Sequence, residues 1–231
     1  MNLKYDHVFI LVGKGAKEMD LFKKHGFGQP MIGRHDGQGT GCKILFFLNT
    51  LIELLYIDND DEAINNIESF GCDYVERTKW KDNGQNPFGI GIVPKPNNIA
   101  QIPFKTKHYS PKWMRKEALQ MALSNTNPEE PIVFCEPPIF EWSDFKNFDE
   151  LENSDKDDIK KYFYHENGIA RITKFKMYIK TDSLSKIIQE LSKHNMDFEC
   201  SEENLIELTF DENVQSKRLD FRPDLPLIIN Y

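Results

Sequence analysis

The chain has 231 residues, with 29 Lys+Arg against 37 Asp+Glu and a net charge of −8. With 39% hydrophobic residues and 17 Phe it is too apolar and aromatic for a disordered chain, and it is long enough for one large domain or two smaller halves. The acidic balance argues against a protein that coats nucleic acid or an anionic membrane, because both need a basic face.

The first element is residues 5–12, β-branched and aromatic, which predicts a buried strand. Residues 16–25 follow with Ala16, Met19 and Phe22 three apart, a short amphipathic helix that ends before Gly26. A strand is expected near 31–34. The runs 42–48 and 51–57, split by Asn49-Thr50, predict a hairpin. The order strand, helix, three strands makes a βαβββ unit. In the middle, 87–93 and 131–136 predict strands, and 112–123 a helical piece. Residues 141–158 carry eight acidic side chains against two lysines and predict a solvated linker or exposed helical turn. The grammar then returns: strand 172–179, a helix over 183–194 behind a Thr181-Asp182 cap, and strands 205–210, 217–221 and 225–230. The expectation is an α+β fold of two βαβββ modules. It divides as 1–58 N-terminal module, 59–138 middle insertion, 139–168 acidic linker and 169–231 C-terminal module.

No run approaches the roughly 18 consecutive apolar residues of a membrane span. The start of the chain lacks a signal-peptide layout. Cysteines 42, 72, 135 and 200 form no CxxC pair, so reduced thiols and a cytoplasmic location are expected. The stretch 33–41 is Gly-rich. It is no P-loop, since no Gly-Lys-Ser/Thr follows, and no dinucleotide fingerprint, since Cys42 takes the third glycine's place. Its backbone N–H groups could approach a ligand oxygen. A basic and aromatic cluster, Lys105, Lys107, His108, Tyr109, Lys112, Trp113, Arg115 and Lys116, suits an anionic or aromatic small molecule or a plain solvated face. No Ser-His-Asp order, HExxH helix or GxSxG elbow supports a hydrolase.

Several stretches together resemble the glyoxalase-like domain proteins of the vicinal-oxygen-chelate superfamily. They are Asp6-His7-Val8, the 35–40 turn, Leu51-Ile52-Glu53-Leu54-Leu55, Pro87-Phe88-Gly89-Ile90, residues 109–113 and residues 131–134. Where that family has Gly-Thr-Gly-Asn-Arg, this chain has Gly39-Thr40-Gly41-Cys42-Lys43. The resemblance implies paired βαβββ modules whose curled, mixed sheets surround a shared cavity. It also implies that His7 and Glu53 point into that cavity as metal ligands or as acid and base. Imidazole and carboxylate suit Zn²⁺, Ni²⁺, Mn²⁺ or Fe²⁺, and a third ligand is open among His35, Glu136 and His108. In the C-terminal copy Lys174 or a neighbour stands for His7, and the last strand has no acid for Glu53. His35, Gln38, Thr40, Trp113 and Phe134 are the expected ligand-binding residues, with Phe47 and Phe88 as further aromatic wall. A metal-assisted lyase, isomerase or dioxygenase acting on a vicinal-oxygen substrate is one reading. A metal-free protein that binds or sequesters a small molecule is the other. Either a monomer or a homodimer fits, and neither nucleic acid nor membrane is an expected partner.

Overall fold

The computed structural model describes residues 2–95, 102–110, 112–114, 119–135 and 144–231. The N-terminal unit forms as expected: β1 (Asn2–Leu11), α1 (Met19–Lys24), β2 (Met31–His35), β3 (Thr40–Phe47) and β4 (Thr50–Ile57). Three short helices come next, α2 (Asp60–Phe70), α3 (Tyr74–Arg77) and α4 (Trp80–Asn83). The Asn59 side chain accepts from the Glu62 N–H to start α2, and Gly71 ends it in the left-handed conformation. Then follow β5 (Phe88–Lys95), β6 (Thr106–Tyr109), β7 (Leu119–Ala122) and β8 (Ile132–Cys135). The last part holds α5 (Phe148–Glu152), β9 (Ile172–Lys180), α6 (Lys186–Leu191), β10 (Asp197–Ser201), β11 (Leu205–Phe210), β12 (Arg218–Asp220) and β13 (Leu227–Asn230).

The strands make two mixed sheets. The larger has the order β2-β3-β4-β1-β5-β8-β7-β6, and the smaller β10-β9-β11-β13-β12. The larger sheet is one strand pattern used twice. β1 pairs β4 in parallel, and β5 pairs β8 in parallel. β3 and β7 run antiparallel to those partners, β2 and β6 flank them, and β1 and β5 meet antiparallel at the centre. The α+β class and the paired modules are therefore present, but the mate of the first module is 88–135 and not the C-terminal segment. Residues 172–230 hold an extra strand at 197–201 and a different strand order. Where a helical piece was expected over 112–123, residues 119–122 are strand β7, because they pair with both β6 and β8.

Alternation along the central strands decides the two faces of the larger sheet. Val8 and Ile10 of β1, Ile52 and Leu54 of β4, and Phe88, Ile90 and Ile92 of β5 join Met177, Leu208 and Ile229 of the smaller sheet in one core. Their neighbours Phe9, Leu11, Cys42, Leu55, Ile132 and Phe134 face the other way and build a second core with Tyr74, Tyr109 and Met121. Arg77 ties this side together. Its guanidinium is buried and donates to four backbone carbonyls, those of Asn86, Asn125, Asn127 and Glu130.

The acidic segment, described from Asp144 onward, is less free than its charge suggests. Phe145, Leu151, Ile159 and Phe163 bury against Phe46, Leu48 and Leu51, and Asp144 pairs with Lys4 at 2.7 Å. Among the described residues no helix is long and apolar enough to cross a membrane. All four cysteines are free thiols, three buried and Cys200 exposed.

Candidate functional site

His7 and Glu53 reach one place because of strand register. Phe9 stands opposite Glu53 in the β1–β4 ladder, so His7 and Glu53 project from the same face one diagonal apart. Both are buried, at 5% and 7% exposure. Nε2 of His7 lies 3.9 Å from Oε2 of Glu53. The other His7 nitrogen, Nδ1, is held by the Asp6 carboxylate at 2.7 Å. Adjacent strand residues normally point to opposite faces, but the β1–β5 ladder slips register between Tyr5 and His7. That bulge brings Asp6 round to its neighbour's ring. A carboxylate on Nδ1 fixes the tautomer and leaves the Nε2 lone pair facing the cavity.

His35 approaches from β2. Its Nε2 is 3.8 Å from Oε1 of Glu53, and its Nδ1 is 3.0 Å from Thr40 Oγ1. Gln38 Nε2 donates to that same Oγ1 at 2.8 Å, and Tyr109 donates to Gln38 Oε1 at 2.5 Å. Burial lowers the basicity of His35, opposed by Glu53 and reinforced by His7. Trp113 covers the ring at a centroid distance of 4.7 Å. Cys42 sits diagonal to Glu53 on the β3–β4 ladder, with its thiol pushed far above the ordinary value by burial and then by the Glu53 carboxylate. Gly33 lies opposite, where a Cβ would come within 2.7 Å of the sulfur.

Several of these groups line a cavity of about 60 Å³. The lining includes His7, His35, Gln38, Glu53, Trp113 and Phe134. Thr40 does not line it and instead positions His35 and Gln38. Phe47 and Phe88 are on the opposite face of the sheet and line nothing here. His108 is exposed on β6, and Glu136, Arg115 and Lys116 lie outside the described residues. Phe9, Leu55, Tyr74, Met114 and Met121 complete the wall. The alternation of β1 and β4 places the first two of these, whereas Tyr74, Met114 and Met121 come from segments with no legible period.

Among their described residues, β5 and β8 of the second half carry no histidine or acid. Across the central ladder His7 faces Gly91 of β5, and β8 (Ile132–Cys135) carries no acid among its described residues, so Lys174 has no part in the comparison. The glycines serve the first half. A Cβ on Gly91 would meet His7 Nδ1 at 2.8 Å, and one on Gly89 would meet the Phe9 ring at 2.1 Å.

A curled, duplicated sheet with an imidazole on its first strand and a buried carboxylate on its fourth is the architecture of vicinal-oxygen-chelate proteins. Residues 5–108, which run from β1 into β6, match the glyoxalase-like domain family. A crystal structure of a hypothetical protein from Staphylococcus aureus is similar over 99% of this chain and 98% of its own, with a TM-score of 0.55 and 14% identity. That likeness shows a shared fold. No curated protein matches this chain.

Proposed function

We propose that the protein is a small-molecule enzyme of the vicinal-oxygen-chelate kind, a lyase, isomerase or dioxygenase whose reaction centre is the cavity around Glu53. The observation that carries this is the carboxylate itself. Glu53 is buried among Phe9, Leu55 and Phe134, with Oε1 accepting no hydrogen bond from nitrogen or oxygen. A buried carboxylate whose nearest nitrogens stand 3.8–3.9 Å away and whose bonding neighbour is a thiol is poorly compensated, so it calls for a cation or a proton donor.

The superfamily implies a divalent metal, and among the described residues β5 and β8 offer it no imidazole or carboxylate. What fits is the first module alone. His7, His35 and Glu53 would hold the ion, two imidazoles and one carboxylate, in the composition that leaves open positions for a substrate. Bound there, it supplies a Lewis acid for neighbouring oxygens. Asp6 keeps His7 in one tautomer, Thr40 holds His35 in place, and Gln38 offers an amide at the wall. Trp113 and the aromatic lining exclude water. The small volume supports a compact substrate, with two vicinal oxygens and little else, unless Trp113 swings aside.

The test has two readings. Untagged protein is analysed for metal and screened by thermal shift against compact 1,2-dicarbonyls, hydroxyketones and catechols, and each stabilising compound is then followed by NMR. Consumption by the wild type and its loss in Glu53→Gln support the enzyme. The lack of a histidine or acid among the described residues of β5 and β8 favours the second reading, a protein that binds or sequesters such molecules. Stabilisation by a ligand that is recovered unchanged, in protein that carries no metal, would establish it instead.

A further inference from the structure

We infer that Cys42 is a metal ligand, so that this site is a His35–Cys42–Glu53 centre built within one module and suited to a thiophilic divalent ion of the zinc or cobalt class. The inference rests on the metal-holding reading above and changes its ligand set.

Three donor atoms converge here, one each from His35, Cys42 and Glu53, all within 4.8 Å of one another. His35 Nε2 is 3.8 Å from Glu53 Oε1 and 3.9 Å from Cys42 Sγ. Bonds of about 2.0–2.3 Å at tetrahedral angles separate ligand atoms by about 3.3–3.6 Å. The observed spacings are slightly wider than those edges, and too long for a strong hydrogen bond between nitrogen and oxygen. Glu53 supplies the independent sign, a carboxylate more than nine-tenths buried whose Oε1 faces this cluster with no nitrogen or oxygen donor at hydrogen-bond distance and only the weak Cys42 thiol to bond it.

The surroundings keep the donors available. Thr40 occupies His35 Nδ1, which leaves Nε2 for the cluster. Gly33, with no Cβ, leaves the Cys42 sulfur its room opposite on the ladder. His7 stands on the far side of the carboxylate, against Oε2, with Nδ1 held by Asp6. It is the natural fourth neighbour, close enough to position Glu53 and not one of the three converging atoms. A thiolate in the set selects zinc or cobalt over Mg²⁺, Ca²⁺ and Mn²⁺, which take all-oxygen shells.

The experiment loads the Cys200→Ser protein with Co²⁺, because Cys200 is the exposed thiol and the other two, Cys72 and Cys135, are buried elsewhere. A sulfur-to-cobalt charge-transfer band in the near ultraviolet is expected at one equivalent. It should vanish in Cys42→Ser with the visible cobalt bands retained and affinity down at least tenfold. Thermal melting of the Cys42→Ser and Cys42→Ala proteins without metal checks that each is folded, and either one serves. Cobalt bound without the sulfur band overturns the Cys42 assignment and leaves His7, His35 and Glu53 as the holders. No cobalt bound at all overturns both.

Discussion

The two halves of the eight-stranded sheet have the same strand order and opposite contents. In β1–β4 the concave face carries His7, Glu53, His35 and Cys42. In β5–β8 the described residues of β5 and β8 carry no histidine or acid, and Gly91 faces His7 across the central ladder. A duplicated scaffold therefore need not duplicate its chemistry. One half holds the reactive groups, and the other provides a floor for them. The glycines of β5 are that floor, since the Phe9 ring lies across Gly89 and the His7 ring across Gly91.

The largest expected effect attacks this floor. A Cβ at position 89 would come within 2.1 Å of the Phe9 ring. Phe9 cannot easily yield, because it is stacked on Phe134 and set edge-on to Tyr74. Overpacking of this kind costs about 1–3 kcal/mol. In a chain of this size each kcal/mol lowers Tm by roughly 2–4 °C. Gly89→Ala should show that loss by calorimetry, and Phe9→Ala alone should lose about 3–5 kcal/mol. The double variant should cost less than the sum of the two, because removing the ring removes the clash. Strict additivity would mean that the glycine is not there for the ring.

A smaller effect tests how the reactive half is held. Thr40 touches no ligand space, yet its hydroxyl meets both His35 Nδ1 and Gln38. Losing the outer partner of a metal-bound imidazole lowers affinity about 10–100-fold. Thr40→Val keeps the shape, so cobalt affinity should fall by about tenfold, the lower end of that range. Leaving the buried Gln38 amide short of an acceptor adds about 1–3 kcal/mol of instability. Equal destabilisation with unchanged cobalt affinity would make Thr40 a structural residue only.

The comparison also explains what was legible in the sequence. The first half was visible because β1, β3 and β4 are eight to ten residues long, and alternation over that length marks a strand and its buried face. The second half was hidden because β6, β7 and β8 have four residues each, too few for a period to show. The C-terminal segment offered longer apolar runs and a capped helix, so it imitated a module. Its extra strand β10 has a mixed surface of Asp197, Glu199 and Cys200, which hid it. At the site, His7 and Glu53 stood out as polar residues in apolar strands. The Asp6 partnership did not, since it depends on a bulge with no residue signature. Cys42 passed for core, because a buried thiol in an apolar run looks the same with or without neighbouring donors.

The smallest effect is a pH dependence confined to the reactive half. His165, from the segment between β8 and β9, braces that half. Its Nδ1 accepts from the Gly28 N–H at 2.9 Å, and its Nε2 meets the Phe46 carbonyl at 2.8 Å. Those two contacts require the neutral ring, and burial holds its pKa below the ordinary 6.5. The unfolded chain therefore takes up a proton first as pH falls. Stability is complete above 6.5 and declines below it until the folded ring itself titrates. Each such histidine contributes a slope of at most about 1.4 kcal/mol per pH unit. His35 is shifted in the same direction and adds to the decline. Urea unfolding of the wild type should thus weaken from pH 7 to pH 5. His165→Gln, less stable overall, should weaken less steeply over the same interval. An unchanged slope in that variant would place the acid sensitivity at His35 alone, inside the site and not in the brace that holds it.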